Sequence, residues 1–269
     1  MTALYDLGRE RADGRSLDSY IEWLKATCKI LPNITVFTDI KEVAKVLPEH
    51  AVVVDLNFSE FDMYVHREKV ADICARMSRK SKVQDITIRL PDYAIFQFGK
   101  FQLLDLASQM GSEEYLVWVD AGISRFTRAV EPRVVPDVDA LFAAIGDADA
   151  LFEVDFRQNT RLGKLRLVKT GTFRRTFSGT AFAISKEATS NYRRLLSLKA
   201  LSWLEQHTWD NEQVALNQLF HSHDISPALA EQDEVTGTIL RIFQGISKPR
   251  TLAPSNPSYQ KLRKKRRSS

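Results

Sequence analysis

The sequence predicts an α/β fold, a mixed and mainly parallel central sheet flanked by helices. Three patterns point there. Short apolar runs alternate with amphipathic stretches through the first half, as crossover-connected parallel strands require. The run 115–119 is almost wholly apolar, the mark of a strand buried on both faces. The second half carries strand-like runs without full helices between them, which makes the sheet mixed.

In chain order, residues 2–5 form a short apolar run that enters a turn at Gly8. Residues 16–27 read as a helix that Ser16 caps, with Leu17, Tyr20, Ile21 and Leu24 recurring at helical spacing. Residues 34–38 and 51–56 are predicted strands, and 65–77 and 98–110 predicted helices, the second ending at Gly111. After 115–119, strands are expected at 151–156, 165–168 and 180–184, then helices at 186–206 and 210–221. From Ser247 onward Pro249, Pro254 and Pro257 break any regular element. No repeat or linker divides the chain, so residues 1–260 are expected to form one domain and 261–269 a disordered tail.

Hydrophobic residues make up 44% of the 269 and charged residues 27%, ordinary values for a soluble protein. No apolar run approaches the roughly 20 residues that cross a bilayer. The first residues lack the basic and apolar regions of a signal peptide, so a cytoplasmic location is expected. Cys28 and Cys74 are far apart and read as reduced, half-buried thiols. The net charge is +4, but six basic residues lie in 261–267. Removing those six leaves 32 basic against 34 acidic residues, which gives the body no sign of a specific nucleic-acid binder.

Asp120 is the sharpest candidate for chemistry. It follows the buried strand, and ligands of open α/β sheets bind beyond the carboxyl ends of strands. A carboxylate there can meet a ribose hydroxyl or a metal ion, and Ala121-Gly122 lets the backbone approach a ligand closely. The plain alternative is an aspartate that caps a turn.

The segment YLVWVDAGISRF at 115–126 resembles the hallmark of the HtrL/YibB (WlaTC-like) family of bacterial glycosyltransferases. ALYDLGR at 3–9, GRSLDSYIEWLK at 14–25, VFTD at 36–39, FGKFQLL at 98–104 and FSGTAFAISKE at 177–187 resemble the same family, in order. The likeness implies a GT-A architecture, a nucleoside diphosphate sugar as donor, and a glycan, lipid-linked or surface-polysaccharide acceptor. Two later segments are similar to glycogenin-like retaining glycosyltransferases: Glu212-Gln213-Val214-Ala215-Leu216-Asn217, and 243–249, in which Gly245 and Lys248 would serve the donor diphosphate. That second likeness favours retention. The chain departs from the pattern twice, with Gly122 in place of the second acid of Asp-x-Asp and Ile242 in place of a metal-binding histidine. Magnesium or manganese, if used, would rest on Asp120 with little other support.

Glycosyl transfer leaves negative charge on the departing diphosphate, which metal, lysine or arginine must neutralise. Lys248, Lys100 and Arg9 are the candidates, each equally readable as a surface cation. Lys100 would sit near the start of its predicted helix, where backbone N–H groups favour phosphate. Tyr5 is placed to line a base pocket or to pack in the core. An acid near the sugar would be Glu212 or Asp210, although Asp210 also suits the helix cap. Residues 178–181 would form part of the acceptor wall, with Gly179 allowing close approach. Asp147-Ala148-Asp149 is a literal Asp-x-Asp, but it precedes a strand rather than ending one, so it reads as a turn. His221 and His223 diverge on a helix and read as its end.

Two rivals remain open. A nucleotidyltransferase would use a similar core but needs a Gly-rich basic loop that 9–14 matches poorly. A non-catalytic nucleotide- or glycan-binding protein would be such a fold without its metal acids. The basic tail suits peripheral contact with the inner face of an anionic membrane, at about 1 kcal/mol per basic residue. Truncation after Gln260 should reduce binding to anionic liposomes at low salt and leave transfer to soluble acceptors intact. Equal liposome binding by both forms would count against it.

Overall fold

The computed structural model describes residues 1–31, 33–80, 86–125, 137–154, 177–232, 238–243 and 251–255. Its strands are β1 (Thr2–Ala3), β2 (Thr35–Thr38), β3 (Val52–Asp55), β4 (Tyr115–Val119), β5 (Ala150–Val154), β6 (Phe177–Ser185), β7 (Ala228–Glu231) and β8 (Thr251–Leu252). They form a parallel three-stranded sheet, β1-β2-β3 in spatial order, and a mixed five-stranded sheet in the order β4-β6-β5-β7-β8. Two backbone hydrogen bonds join the two. The Met1 amine donates to the Val117 carbonyl at 2.6 Å, and Val119 N–H donates to the Met1 carbonyl at 2.9 Å. That pattern runs β1 parallel beside β4.

The combined order is β3-β2-β1-β4-β6-β5-β7-β8, with β6 and β8 reversed against the other described strands. The chain winds outward from β1 through β2 to β3, then returns to the other side of β1 at β4. The β1/β4 junction is therefore the switch point where an open α/β sheet leaves a crevice.

The described helices are α1 (Arg9–Asp13), α2 (Leu17–Ile30), α3 (Lys41–Val46), α4 (Arg67–Lys80), α5 (Pro91–Ser108), α6 (Val138–Ile145), α7 (Thr189–Glu205), α8 (Glu212–Ser222) and α9 (Thr238–Phe243). Ser16 caps α2 as expected, accepting from Ser19 N–H. α5 starts at Pro91, seven residues before its predicted start, because proline at the first position needs no N–H partner. It is buried on nearly every side, packed against α4, α7 and β4, which is why its sequence is apolar all round. Phe182 of β6 stacks between Phe101 of α5, at 5.1 Å, and Phe152 of β5, at 5.0 Å.

Several expectations shift. β6 is longer than predicted, and β7, β8, α1, α3, α6 and α9 were too short for a periodic signal. The prolines after Ser247 do not exclude regular structure, since Thr251–Leu252 pairs with β7. Cys28 and Cys74 are fully buried rather than half-buried, and burial raises both thiols, Cys28 to about 11 and Cys74 to about 12. The predicted strand 165–168 and the tail 261–269 lie outside the described residues. Among the described residues no helix is long and apolar enough to cross a membrane.

Gly99 brings α5 against the buried Phe61 ring, and a Cβ there would overlap that ring. Gly99→Ala should destabilise the fold by about 1–3 kcal/mol through overpacking, read from the urea midpoint at unchanged m-value.

Candidate functional site

Asp120 ends β4 at the switch point and is held through its backbone and its side chain. Its N–H donates to the Thr180 carbonyl at 2.8 Å, continuing the β4–β6 ladder, and its carbonyl accepts from Ile123 N–H at 2.9 Å. The Trp118 indole N–H donates to Asp120 Oδ1 at 2.9 Å. The Lys100 ammonium lies 3.1 Å from the same oxygen.

Lys100 is the tenth residue of α5, so it stands mid-helix and not at a helix start. The phosphate-binding amides expected beside it are therefore absent, and what it offers is its ammonium alone. Lys100 as a whole is 4% exposed. Its ammonium donates to the Gly179 carbonyl at 2.9 Å and to Glu212 Oε1 at 3.2 Å, and stands 5.7 Å from the Trp118 ring centroid. Burial opposes its charge, but Asp120 and Glu212 outweigh burial and raise its pKa above the ordinary lysine range.

Glu212 is 0% exposed. Burial pushes its carboxyl pKa up, Lys100 pulls it down, and the nearby Asp120 charge leaves the balance raised. Its Oε2 is buried without a hydrogen-bond partner among the described residues. Gly179 makes this packing possible: a Cβ there would collide with Glu212 Oε1 and stand 3.4 Å from Lys100 Nζ. The close approach expected of Gly179 is thus made by the protein's own Glu212, not by an acceptor.

Above this buried cluster lies a cavity of about 220 Å³ at the carboxyl ends of β1 and β4. Its described lining includes the predicted Tyr5, Arg9, Lys100, Asp120, Ala121 and Gly122. Asp120 is the one acid in that lining; Arg9, Arg15, Lys100 and Arg125 are the bases. One wall is aromatic. Tyr5 packs 5.5, 5.3 and 5.9 Å from the rings of Phe58, Phe61 and Phe96, so it serves core and cavity together. Its hydroxyl is buried without a described partner, and burial followed by Asp39, Glu60 and Asp55 raises its pKa.

Arg15 and Arg125 were within the motifs read from the sequence but were not singled out, because their approach to Asp120 depends on how α2 packs. Thr27 Oγ1 donates to the Ala121 carbonyl at 3.0 Å and Ser124 Oγ to the Trp23 carbonyl at 2.9 Å, fixing α2 against the loop after β4. Arg125 then lies over the Trp23 ring at 4.3 Å and donates from Nε to the Gly122 carbonyl at 3.1 Å.

The remaining predicted residues fall elsewhere. Asp210 does not cap α8: Asn211 does, accepting from Val214 N–H at 3.1 Å, and Asp210 accepts from Asn211 N–H. Neither Asp210 nor Glu212 lines the cavity. Glu212 reaches the site only through Lys100. Gly245 and Lys248 lie outside the described residues. Asp149 sits at the start of β5, the opposite edge of the sheet, where Tyr192 donates to it at 3.1 Å. His223 is the left-handed residue that ends α8.

The donor set does not fit a divalent ion. Asp120 Oδ1 already carries the Lys100 ammonium, and the described residues hold no group of three acids, histidines or cysteines suited to a metal. At Gly122, where a second acid would be wanted, an added Cβ would meet the Arg125 guanidinium at 3.0 Å. Both positions are held by cations. Compared with known proteins, the chain matches no family model and no curated protein.

Removing Lys100 leaves Asp120 and Glu212 facing each other around an empty space. Lys100→Met should cost about 3–5 kcal/mol in urea denaturation, and adding Glu212→Leu should restore part of it. Simple additivity of the two losses would refute the coupling. Because the folded pKa of Glu212 is raised, its contribution to stability is full at pH below the unfolded value and falls as pH rises through the folded one. Glu212→Gln should therefore flatten that part of the stability–pH curve.

Proposed function

We propose that the chain is a glycosyltransferase of GT-A architecture that binds a nucleoside diphosphate sugar in the switch-point cavity. One observation carries the reading: among the described lining residues one carboxylate, Asp120, stands with four basic side chains beside an aromatic wall, at the carboxyl edge of a mainly parallel sheet. The HtrL/YibB resemblance supports it, because the segments quoted for it include Tyr5, Arg9, Lys100 and Asp120, which the fold brings together.

Each part of the donor has a matching surface. The aromatic rings in the lining, Tyr5, Tyr20, Tyr93 and Phe96, suit the flat face of a base. The basic side chains suit the diphosphate. The Asp120 side chain is 38% exposed and suits a ribose or sugar hydroxyl. In transfer, the bond from the sugar carbon to the diphosphate oxygen breaks, the acceptor oxygen bonds that carbon, and the acceptor hydroxyl releases its proton. Prepositioned cations stabilise the charge that collects on the diphosphate. Lys100 and Glu212 position Asp120 and do not touch the sugar. The acceptor, a glycan or a lipid-linked saccharide, follows from the resemblance alone.

The test is a thermal-shift screen of nucleoside diphosphates and their sugars. A ligand at about 100 times its dissociation constant should stabilise by about 2.7 kcal/mol. Asp120→Ala should lower turnover on the order of 10²-fold or more. No stabilisation by any nucleoside diphosphate, with Asp120→Ala indifferent, would defeat the proposal. Donor binding with no transfer or donor hydrolysis would instead favour the non-catalytic nucleotide-binding reading.

A further inference from the structure

We infer that Trp118 is the positioning residue that decides which oxygen of Asp120 meets the ligand. Its indole N–H holds Oδ1, so that Oδ2 alone receives one ligand hydroxyl. The inference rests on the reading of the cavity as a nucleoside diphosphate site.

Trp118 lies in β4 and Asp120 follows two residues later, still on the β4–β6 ladder, so the two side chains share one face of the sheet. The indole reaches the carboxylate from within its own strand and donates to Oδ1 at 2.9 Å. The ring is fully buried and has neighbours on several sides. Phe182 stands opposite it in the β4–β6 register and stacks on it at 6.4 Å, and Phe96 of α5 packs at 6.3 Å. Phe182 is itself stacked between Phe101 and Phe152. The direction of the indole N–H is therefore set by the core.

Two donors of different character meet on Oδ1. The Lys100 ammonium, at 3.1 Å, carries three donors on a flexible stem and also serves Gly179 and Glu212. It compensates charge but sets little direction. The indole carries a single N–H in the plane of a rigid ring, and such a bond weakens steeply when bent. It opposes rotation of the carboxylate, whose terminal torsion is otherwise broad. No described residue hydrogen-bonds Oδ2, and the Asp120 side chain is 38% exposed in the cavity lining. A carboxylate held this way offers one oxygen to one hydroxyl, rather than both oxygens to a vicinal pair. Holding it before the ligand arrives removes part of the ordering cost of binding.

The experiment is a double-mutant cycle read by calorimetric titration of the whole chain with uridine, guanosine, cytidine, thymidine and adenosine diphosphates. The proteins are the wild type, Trp118→Phe, Asp120→Ala and the double variant, with circular dichroism melts to confirm that each folds. Trp118→Phe keeps a ring between Phe96 and Phe182 and removes the N–H. For the nucleoside diphosphate that binds, it should raise Kd about 3- to 10-fold, the weight of one hydrogen bond. With alanine at position 120 the same substitution should leave Kd unchanged. A tryptophan that served packing alone would weaken both backgrounds equally, and that result overturns the inference.

A second measurement needs no tight-binding variant. Isotope-labelled tryptophan gives four indole N–H signals, and the one from Trp118 is identified by its loss in Trp118→Phe. That signal should move in Asp120→Ala, and in the wild type when the nucleoside diphosphate binds. An unmoved signal in either case overturns the inference and leaves the nucleotide reading standing. No binding by any nucleoside diphosphate overturns the inference together with the reading beneath it.

Discussion

An ammonium buried between two carboxylates sets the terms for the rest of this site. Lys100 lies in the middle of a helix packed on nearly all sides, where a charge is tolerated only if its partners are close and fixed. The fold supplies those partners from three other elements. β4 ends on Asp120, β6 turns the Gly179 carbonyl inward, and α8 begins on Glu212. Each has a local reason to be where it is. Asp120 continues the β4–β6 ladder, Gly179 has no side chain to keep Glu212 away, and Asn211 caps the helix so that Glu212 is free to face inward. The same contacts knit the β4–β6 part of the sheet to α5 and α8, so the site and the core are not separable.

This arrangement divides the positive charge into two tiers. The charge on Lys100 is compensated by Asp120 and Glu212, and its effect is to hold Asp120 at the end of β4. The other basic side chains of the lining are held separately: Arg9 and Arg125 lie over aromatic rings, and Arg9 and Arg15 share Asp13.

Much of this was legible in the sequence. The apolar run 115–119 gave β4 at its observed bounds and so placed Asp120 at a strand end, where burial and a following Ala-Gly pair made it the best site candidate. Tyr5 followed from the end of the first strand by the same logic, whereas Arg9 was read only as a cation able to neutralise a diphosphate. Lys100 was found for a reason that does not hold. It was placed near a helix start because Pro91, which opens α5, lies in a stretch without clear periodicity, and an all-round apolar helix gives no face to count from. Glu212 was expected at the sugar, but a helix start alone does not show which way its first side chain points. Arg15 and Arg125 were missed because they converge through the packing of α2 on the loop after β4, a contact between residues about a hundred positions apart in the chain. No local pattern records such a contact.

The two departures from the Asp-x-Asp pattern, read one at a time from the sequence, look like losses. In three dimensions the first is an exchange. Gly122 lacks a carboxylate, and the room a side chain would use is taken by Arg125, which needs that glycine to fold back onto its carbonyl. Asp120 remains, but its inner oxygen is bound by Lys100 rather than left open. An acid restored at position 122 would pair with Arg125 and draw it away from the cavity, while Lys100 would still sit at the remaining oxygen. Restoring a metal site would therefore require removing Lys100 as well, and with it the partner that keeps Glu212 from standing as an unpaired buried charge. Changes at positions 100, 122 and 212 are coupled by electrostatics, and the Lys100–Arg125 arrangement is self-consistent where a mixture of the two would not be.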